Sequence, residues 1–305
     1  MPNIIDAKEV WKSYGKIPAL RGLSITLESG ILGLVGPNGS GKTTFIRTIL
    51  GLVKADTGNC KIFGLDSWKE SLQVRKRVGV LHERPYYTPS MTVGDYVKYS
   101  SRIYGRSART ELIDQFGLER QRRIKSLSAG MYRKLGLIQA LACDPELVIL
   151  DEPTSNLDPI ARLDLLDAII KIHQDRKISF LISSHVLSEI ERVATETSII
   201  YNGKLVDQGK PTELVGRLYK ENIYHLTASD PAALLDDIRR LSSVEEATIA
   251  GDAIIIHAKP NTEDILWQVT NLARGKGIKI LEFARKAGLE EVLRRVVTDQ
   301  AGHPS

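Results

Sequence analysis

Cysteine is scarce in this chain of 305 residues, which contains only Cys60 and Cys143. The two cysteines are far apart without metal-ligand spacing, and the six histidines form no ligand pattern. The sequence therefore predicts neither a disulfide framework nor a zinc site. Because proteins without disulfides are typical of reducing compartments, we expect the chain in the cytosol.

Long apolar runs are also missing from the sequence. No stretch approaches the roughly 20 apolar residues that a membrane-spanning helix requires. Residues 1–6 lack the basic segment and following apolar stretch of a secretory leader, so no leader is expected. Any role at a membrane is expected to depend on a partner protein.

The charge balance is mildly basic, with a formal net charge of +5. Hydrophobic residues make up 42% and charged residues 26% of the chain, as in soluble globular proteins. A basic surface can attract anionic lipids or nucleic acids. The positive charges are distributed along the chain, however, and the densest clusters, 75–77 and 120–125, are interpreted as solvated faces. No nucleic-acid partner is expected.

What the chain does contain is a phosphate loop that follows the apolar run 31–35. Its glycines allow a tight bend that turns backbone N–H groups toward a polyphosphate, at the positive end of the following helix. Lys42 is expected to neutralise phosphate oxygens, and Thr43 to offer a hydroxyl to Mg²⁺. The predicted nucleotide-binding residues of the loop are Gly36, Pro37, Asn38, Gly39, Ser40, Gly41, Lys42, Thr43 and Thr44.

A second motif is an apolar run, 147–150, that ends in the carboxylates Asp151 and Glu152. A carboxylate at the end of a strand opposite a phosphate loop is the arrangement that holds Mg²⁺. Glu152 follows directly, in a position to orient or deprotonate the attacking water. The sequence thus predicts Thr43 and Asp151 as metal-binding residues and Glu152 as the catalytic base.

Three further segments stand in a characteristic order, one between these two motifs and two after them. They are Leu127-Ser128-Ala129-Gly130-Met131, Ser155-Asn156-Leu157-Asp158 and Ser183-Ser184-His185. Together with the phosphate loop and the carboxylate strand, this set resembles the ATP-binding cassette (ABC) ATPase family over residues 3–215. The resemblance implies binding of ATP and Mg²⁺. It also implies a RecA-like α/β core with an antiparallel β subdomain and a helical subdomain.

The resemblance gives roles to several other residues. Tyr14 would stack on adenine, although an exposed tyrosine beside a glycine is usually incidental. Ser128 and Gly130 would complete the ATP site of a second ATPase subunit, so that a homodimer or heterodimer binds each nucleotide between its two chains. Without the resemblance, the segment 127–131 indicates only the start of a helix. Asp158 would communicate across that dimer, and His185 would join Lys42 and Glu152 in catalysis.

Two departures from the family pattern concern a membrane partner. Glu83 stands where the family usually has glutamine, and a carboxylate there can still bind Mg²⁺. This change, with Ala129-Gly130-Met131 in the signature, resembles the branch whose transmembrane permease is a separate chain, commonly in exporters. The permease's coupling helix would then contact residues 83–89. The alternative for that segment, a solvated turn rich in proline and aromatic residues, stays open.

The pattern of elements changes near residues 216–222. We expect an ABC ATP-binding domain over 1–217, followed by an accessory domain over 218–305. The order of strands and helices after residue 222 is βαββαβ, which predicts a small α+β ferredoxin-like fold. Because these residues carry no catalytic motif, we interpret this domain as a packing or regulatory module.

The resulting prediction is an ATP-hydrolysing subunit that drives transport, with export as the expected direction, through a separate membrane partner. Such a subunit would be cytoplasmic and peripheral on the inner face of the cell membrane. The alternative is a soluble ABC ATPase that acts on nucleic acid, ribosomes or iron–sulfur assembly. A GTPase is disfavoured, because the sequence has no Asn-Lys-x-Asp motif.

Overall fold

The computed structural model describes residues 3–142, 144–218, 222–259, 264–285 and 293. The chain divides into two compact units, with the division between Pro211 and Thr212. Helix α8 (Pro211–Leu218) lies at this division. The domain boundary predicted between residues 217 and 218 falls at the end of the same helix and stays a prediction.

Among its described residues, the first unit contains ten strands in two sheets. In chain order they are β1 (Ile5–Tyr14), β2 (Ile17–Leu27), β3 (Ile31–Val35), β4 (Thr57–Ile62), β5 (Leu65–Asp66), β6 (Val78–Leu81), β7 (Leu147–Asp151), β8 (Ser179–Ser184), β9 (Glu196–Tyr201) and β10 (Lys204–Gly209). The antiparallel sheet has the order β2-β1-β4-β5, and the six-stranded sheet has the order β10-β9-β3-β8-β7-β6. All neighbours in the larger sheet are parallel except β9 and β10.

The central strands of the larger sheet are continuous apolar runs because both faces of a parallel sheet are covered. Every residue of β3, β7 and β8 is buried. The carboxyl ends of these three neighbouring strands meet at one edge, where open α/β sheets bind their ligands. The phosphate loop, Asp151 and His185 all leave the sheet at this edge.

Helices connect the strands and cover them. They are α1 (Lys42–Ile49), α2 (Ser71–Arg77), α3 (Val93–Ile103), α4 (Glu111–Gln115), α5 (Ala129–Leu141), α6 (Pro159–Arg176) and α7 (Leu187–Val193). The helical region predicted between residues 92 and 142 is confirmed by α3, α4 and α5. Thr92 caps α3, because its hydroxyl accepts from the Asp95 N–H at 3.1 Å.

A tight hairpin closes the first unit. Asn202 and Gly203 have φ of 47° and 76°, and together they join β9 to β10. Positive φ at both central residues is the requirement of the two-residue hairpin turn that the Asn-Gly pair predicts.

The second unit contains β11 (Asn222–Ala228), α9 (Ala232–Arg239), β12 (Val244–Ala250), β13 (Ala253–Ala258), α10 (Ile265–Gly275) and β14 (Ile280–Arg285). Its antiparallel sheet has the order β12-β13-β11-β14. This is the βαββαβ connectivity expected from the sequence. The last predicted helix, over 289–297, lies outside the described residues. In the described part of the chain, the helices are too short or too polar to cross a membrane.

Candidate active site

The phosphate loop joins β3 to α1 and bends at glycines that tolerate no side chain. A Cβ on Gly36 would lie 2.2 Å from the Ile200 carbonyl oxygen, and one on Gly41 would lie 2.6 Å from that of Ala19. Gly41, which precedes α1, has φ of 110°, a conformation that favours glycine. Gly36 and Gly41 are therefore required by close backbone packing, whereas Gly39 has open space around it and a φ of 79° that favours glycine.

Lys42 lies at the first position of α1, with its ammonium group turned back into the loop. Its Nζ donates to the carbonyl oxygens of Gly36 at 2.7 Å and Pro37 at 3.2 Å. Glu152 Oε1 lies 3.7 Å from the same nitrogen. Burial lowers the pKa of Lys42, and the charges of Glu152 and Asp151 partly oppose that shift. The ammonium group is thus held by neutral carbonyls and one carboxylate at the floor of the loop.

Asp151 ends β7 and receives two hydroxyl groups. Thr43 donates to its Oδ2 at 3.2 Å, and Ser183 donates to its Oδ1 at 2.6 Å. A carboxylate and a threonine hydroxyl are hard oxygen ligands of the kind that Mg²⁺ prefers. Thr43 and Asp151, two of the three predicted metal-binding residues, are therefore in direct contact, and their donor set fits the ion.

Glu152 has φ of 49°, which is unusual for a residue with a side chain. Its backbone N–H is shared by the Ser183 carbonyl oxygen at 3.2 Å and the Ser183 hydroxyl at 3.0 Å. Its Oε2 lies 2.7 Å from His185 Nδ1. The glutamate side chain is 12% exposed, whereas that of His185 is 50% exposed. Glu152 is thus fixed at both ends and placed between Lys42 and His185.

A cavity of about 560 Å³ opens above these groups. Its volume is in the range of small-molecule and cofactor sites. It is lined by Ala19, Asn38, Gly39, Ser40, Gly41, Lys42, Thr43, Thr44, Glu83, Arg84, Glu152, Ser155, Asn156 and His185. The Ser40 hydroxyl is buried and has no hydrogen-bond partner among the described residues, which leaves it available to a polar ligand. The loop and its cavity therefore fit a polyphosphate.

Other predicted residues do not line this cavity. Tyr14 is half exposed at the end of β1, on the hairpin that carries Ala19. Ser128 caps α5 by accepting from the Met131 N–H at 3.3 Å, and Asp158 caps α6 by accepting from the Ala161 N–H at 2.9 Å. A Cβ on Gly130 would lie 3.0 Å from Ala161 Cβ, so the starts of α5 and α6 are in contact. Ser128, Gly130 and Asp158 therefore belong to neighbouring helix starts.

Sequence reasoning missed the role of Ser183, which contacts both Asp151 and Glu152. The strand pairing could have indicated this contact, because Ser183 directly follows the apolar run 180–182 in a strand that pairs in parallel with β7. Asp151 and Ser183 are register partners. It also missed Glu189, a buried carboxylate that accepts from Thr154 at 2.6 Å and Ser184 at 3.2 Å.

A phosphate loop, a carboxylate suited to a metal ion and a glutamate–histidine pair at adjacent strand ends define a P-loop nucleotide hydrolase. The family described as ABC transporter matches residues 20–155. The bacitracin transport ATP-binding protein BcrA of Bacillus licheniformis is 34% identical over 241 residues, covering 77% of this chain and 79% of that protein. The Nod factor export ATP-binding protein I of Burkholderia orbicola is 32% identical over 305 residues, covering 96% of each chain.

The fold is shared with solved ATP-binding cassettes. The ADP conformation of MJ1267, an ATP-binding cassette of an ABC transporter, has a TM-score of 0.63 at 22% identity, covering 70% of this chain and 93% of that one. The dimeric post-hydrolysis state of the cassette MJ0796 has a TM-score of 0.61 at 21% identity, covering 68% and 98%. The chain belongs to the ABC transporter ATP-binding family. It is an ATPase of that family, and the predicted cassette fold is confirmed.

Proposed function

We propose that this chain hydrolyses ATP to drive export through a separate transmembrane permease. The observation that carries the proposal is the position of Glu152, which lies between Lys42 and His185 at the floor of a cavity of nucleotide size. Relatives named for bacitracin transport and for Nod factor export support a role in transport out of the cell.

Each residue at the site has a separate task in this proposal. Lys42 and the loop N–H groups bind the triphosphate, which fixes the reacting phosphate beside Glu152. Glu152 accepts the proton of the attacking water, and His185 orients its carboxylate through the 2.7 Å contact. Thr43 and Asp151 would hold Mg²⁺, with Glu83 as a further oxygen ligand. The bound ion would neutralise charge on the phosphate oxygens.

The helix starts that carry Ser128, Gly130 and Asp158 support a dimer. They contact each other but do not line the chain's own cavity. We propose that they face the nucleotide of a second ATPase subunit, where a capped helix start offers backbone N–H groups to phosphate. Tyr14 would stack on the adenine ring in the chain's own site, an interaction worth roughly 1–3 kcal/mol.

The permease contact is proposed at residues 83–89. Tyr86 is 81% exposed there, more than any other aromatic side chain among the described residues. The Tyr132 hydroxyl donates to the Pro85 carbonyl oxygen at 3.1 Å and accepts from the Tyr87 N–H at 3.2 Å, so the segment is pinned to α5. A pinned segment with an exposed aromatic ring suits the coupling helix of a permease. The subunit would then be cytoplasmic and peripheral on the inner face of the membrane.

The catalytic part of the proposal is tested with Glu152→Gln. The amide keeps the shape of the side chain but removes the base, so hydrolysis should fall by about 10²–10⁴-fold while ATP binding is kept. Steady-state ATPase and nucleotide titration measure the two quantities. The variant should also form a dimer with ATP and Mg²⁺, seen as an earlier elution volume. Near-wild-type hydrolysis would remove Glu152 from its role.

The transport part is tested by purification from detergent-solubilised membranes. An integral membrane protein should accompany the tagged chain, and substitution of Tyr86 by alanine should weaken that association. Recovery of the chain only from the aqueous fraction, with no membrane protein, would favour an ABC ATPase that acts outside transport.

A further inference from the structure

Arg133 lies in the first half of α5 and is only 7% exposed. Among the described residues, no carboxylate lies within ion-pair distance of its guanidinium group. Burial lowers the pKa of Arg133, although arginine remains charged at any ordinary pH. A buried charge without a counter-ion is costly, so its contacts need an explanation beyond simple packing.

The guanidinium group contacts two loops that border the nucleotide cavity. Its Nη2 donates to the Ser155 hydroxyl at 2.6 Å and lies 3.5 Å from the Ser155 carbonyl oxygen. Its Nη1 donates to the His82 carbonyl oxygen at 3.3 Å. His82 precedes Glu83, and both Glu83 and Ser155 line the cavity. One side chain therefore joins α5 to the loops on either side of the site.

The loop that Arg133 holds carries backbone strain. Glu152 and Asn156 both have positive φ, at 49° and 62°. The loop is closed by weak internal hydrogen bonds, from the Ser155 N–H to the Glu152 carbonyl at 3.3 Å and from the Leu157 N–H to the Thr154 carbonyl at 3.2 Å. Strained conformations of this kind persist only when surrounding contacts fix them. The bond from Nη2 to Ser155 is such a contact, while Nη1 holds the His82 carbonyl oxygen in the other loop. A lysine ammonium cannot reproduce both bonds of this rigid fork.

We propose that Arg133 is a positioning residue for hydrolysis, holding the 152–156 loop so that Glu152 is presented to the reacting phosphate. The inference rests on the proposed function, in which Glu152 is the base. Ser128 caps the start of α5, the helix that would contact the second subunit's nucleotide. Arg133 ties this helix to the chain's own Glu152 loop. The same link joins that loop to the segment proposed to contact the permease.

The variants Arg133→Met and Arg133→Lys test this role, with kcat, KM and thermal unfolding measured for each. A misplaced base lowers kcat by about 10²-fold, since a displacement of roughly 1 Å has that effect. KM should change by less than about threefold, because the phosphate loop is not contacted. Arg133→Lys should recover part of the lost kcat.

The matched control is Lys134→Met, which removes the neighbouring cation on α5. Lys134 pairs with Asp164 at 3.5 Å. The kcat of this control should be unchanged.

Ser155→Ala is a second test, which removes the hydroxyl contacted by Arg133 and leaves Arg133 itself unchanged. It should lower kcat on its own, and the double variant Arg133→Met/Ser155→Ala should be no worse than Arg133→Met, because both remove the same contact. Additive losses, or an unchanged kcat in folded Arg133→Met, would overturn the positioning role. If Arg133→Met does not fold, Arg133→Lys and Ser155→Ala decide the question.

Glu152→Gln measured beside these variants separates the two proposals. If Glu152→Gln abolishes hydrolysis while the Arg133 variants retain it, only the positioning role fails. If Glu152→Gln retains hydrolysis, the assignment of the base itself fails, and with it the role proposed for Arg133.

Discussion

Ser183 is the residue on which the two carboxylates of the site depend. Its hydroxyl donates to Asp151 and accepts from the Glu152 N–H, so a single oxygen fixes both the carboxylate proposed to bind the metal and the backbone of the proposed base. Outer partners of metal-binding residues orient the first ligands and commonly change metal affinity or activity by about 10–100-fold when they are lost.

We therefore expect Ser183→Ala to raise the Mg²⁺ concentration needed for half-maximal hydrolysis by about 10-fold or more. Hydrolysis measured against Mg²⁺ concentration gives this value directly. Ser179→Ala is the matched control, because Ser179 is a buried serine of the same strand that accepts from the Gly30 N–H at 3.2 Å, at the other end of β8. If the Mg²⁺ concentration needed for half-maximal hydrolysis rose equally in both variants, the effect would come from lost strand stability and not from the contact with Asp151.

Glu83 gives a second prediction at this scale. If its carboxylate contributes an oxygen to the ion, Glu83→Gln should change the Mg²⁺ dependence of hydrolysis. Metal-free ATP affinity should be similar or slightly stronger, because one negative charge beside the triphosphate is removed. Nucleotide binding in chelator is the control measurement. Superimposable Mg²⁺ curves would restrict Glu83 to a mechanical role in the segment that is proposed to contact the permease.

The sequence was sufficient to place Lys42, Thr43, Asp151 and Glu152 at one site, because they stand in local motifs, and their roles stay predictions. Sequence alone could not identify Arg133, since its partners His82 and Ser155 lie in other segments and no motif links the three. The same is true of Glu189, whose partner Thr154 is distant along the chain. Contacts between segments depend on tertiary packing, which periodicity does not encode.

The types of the secondary-structure elements were predicted more accurately than their bounds. After the phosphate loop, the sequence pattern predicts a helix over 44–53 that is closed by Gly51, whereas α1 ends at Ile49. Gly51, at φ of 63°, lets the Leu52 N–H return to the Arg47 carbonyl oxygen at 2.9 Å. This is the glycine-based helix end in which the chain folds back on the last turn. The glycine was recognised in the sequence, but the exact turn at which the helix stopped was not.

The packing of β6 against α5 is close enough to forbid a methyl group. A Cβ on Gly79 would lie 2.0 Å from the Ala140 carbonyl oxygen. Gly79→Ala should therefore push the helix from the sheet and lower the free energy of unfolding by about 1–3 kcal/mol. Thermal or denaturant unfolding measures the loss. At Gly275 an added Cβ meets nothing within 4 Å, so Gly275→Ala should leave stability unchanged or improved. Equal effects of both substitutions would contradict the steric argument.

At the scale of the whole molecule, the nucleotide site belongs to the first unit alone. All residues that line the cavity lie between Ala19 and His185. A chain shortened to residues 1–217 should therefore bind ATP with an affinity within about twofold of the full chain, since no contact to the cavity is removed. Dimer lifetime or response to the permease should change instead. A shortened protein that is folded, by circular dichroism, yet does not bind ATP would contradict the proposed boundary.

The position of β3 in its sheet has a consequence for synthesis on the ribosome. This strand is made early, yet its two neighbours, β8 (Ser179–Ser184) and β9 (Glu196–Tyr201), are among the last parts of the first unit to emerge. At translation rates of 5–20 residues per second the delay is on the order of ten seconds. Throughout that interval the apolar segment Ile31–Val35 has no strand to pair with, although all of it is buried in the finished fold. The nascent chain thus exposes an aggregation-prone edge for longer than most small domains do, and its yield in cells should depend on chaperones that cover such segments.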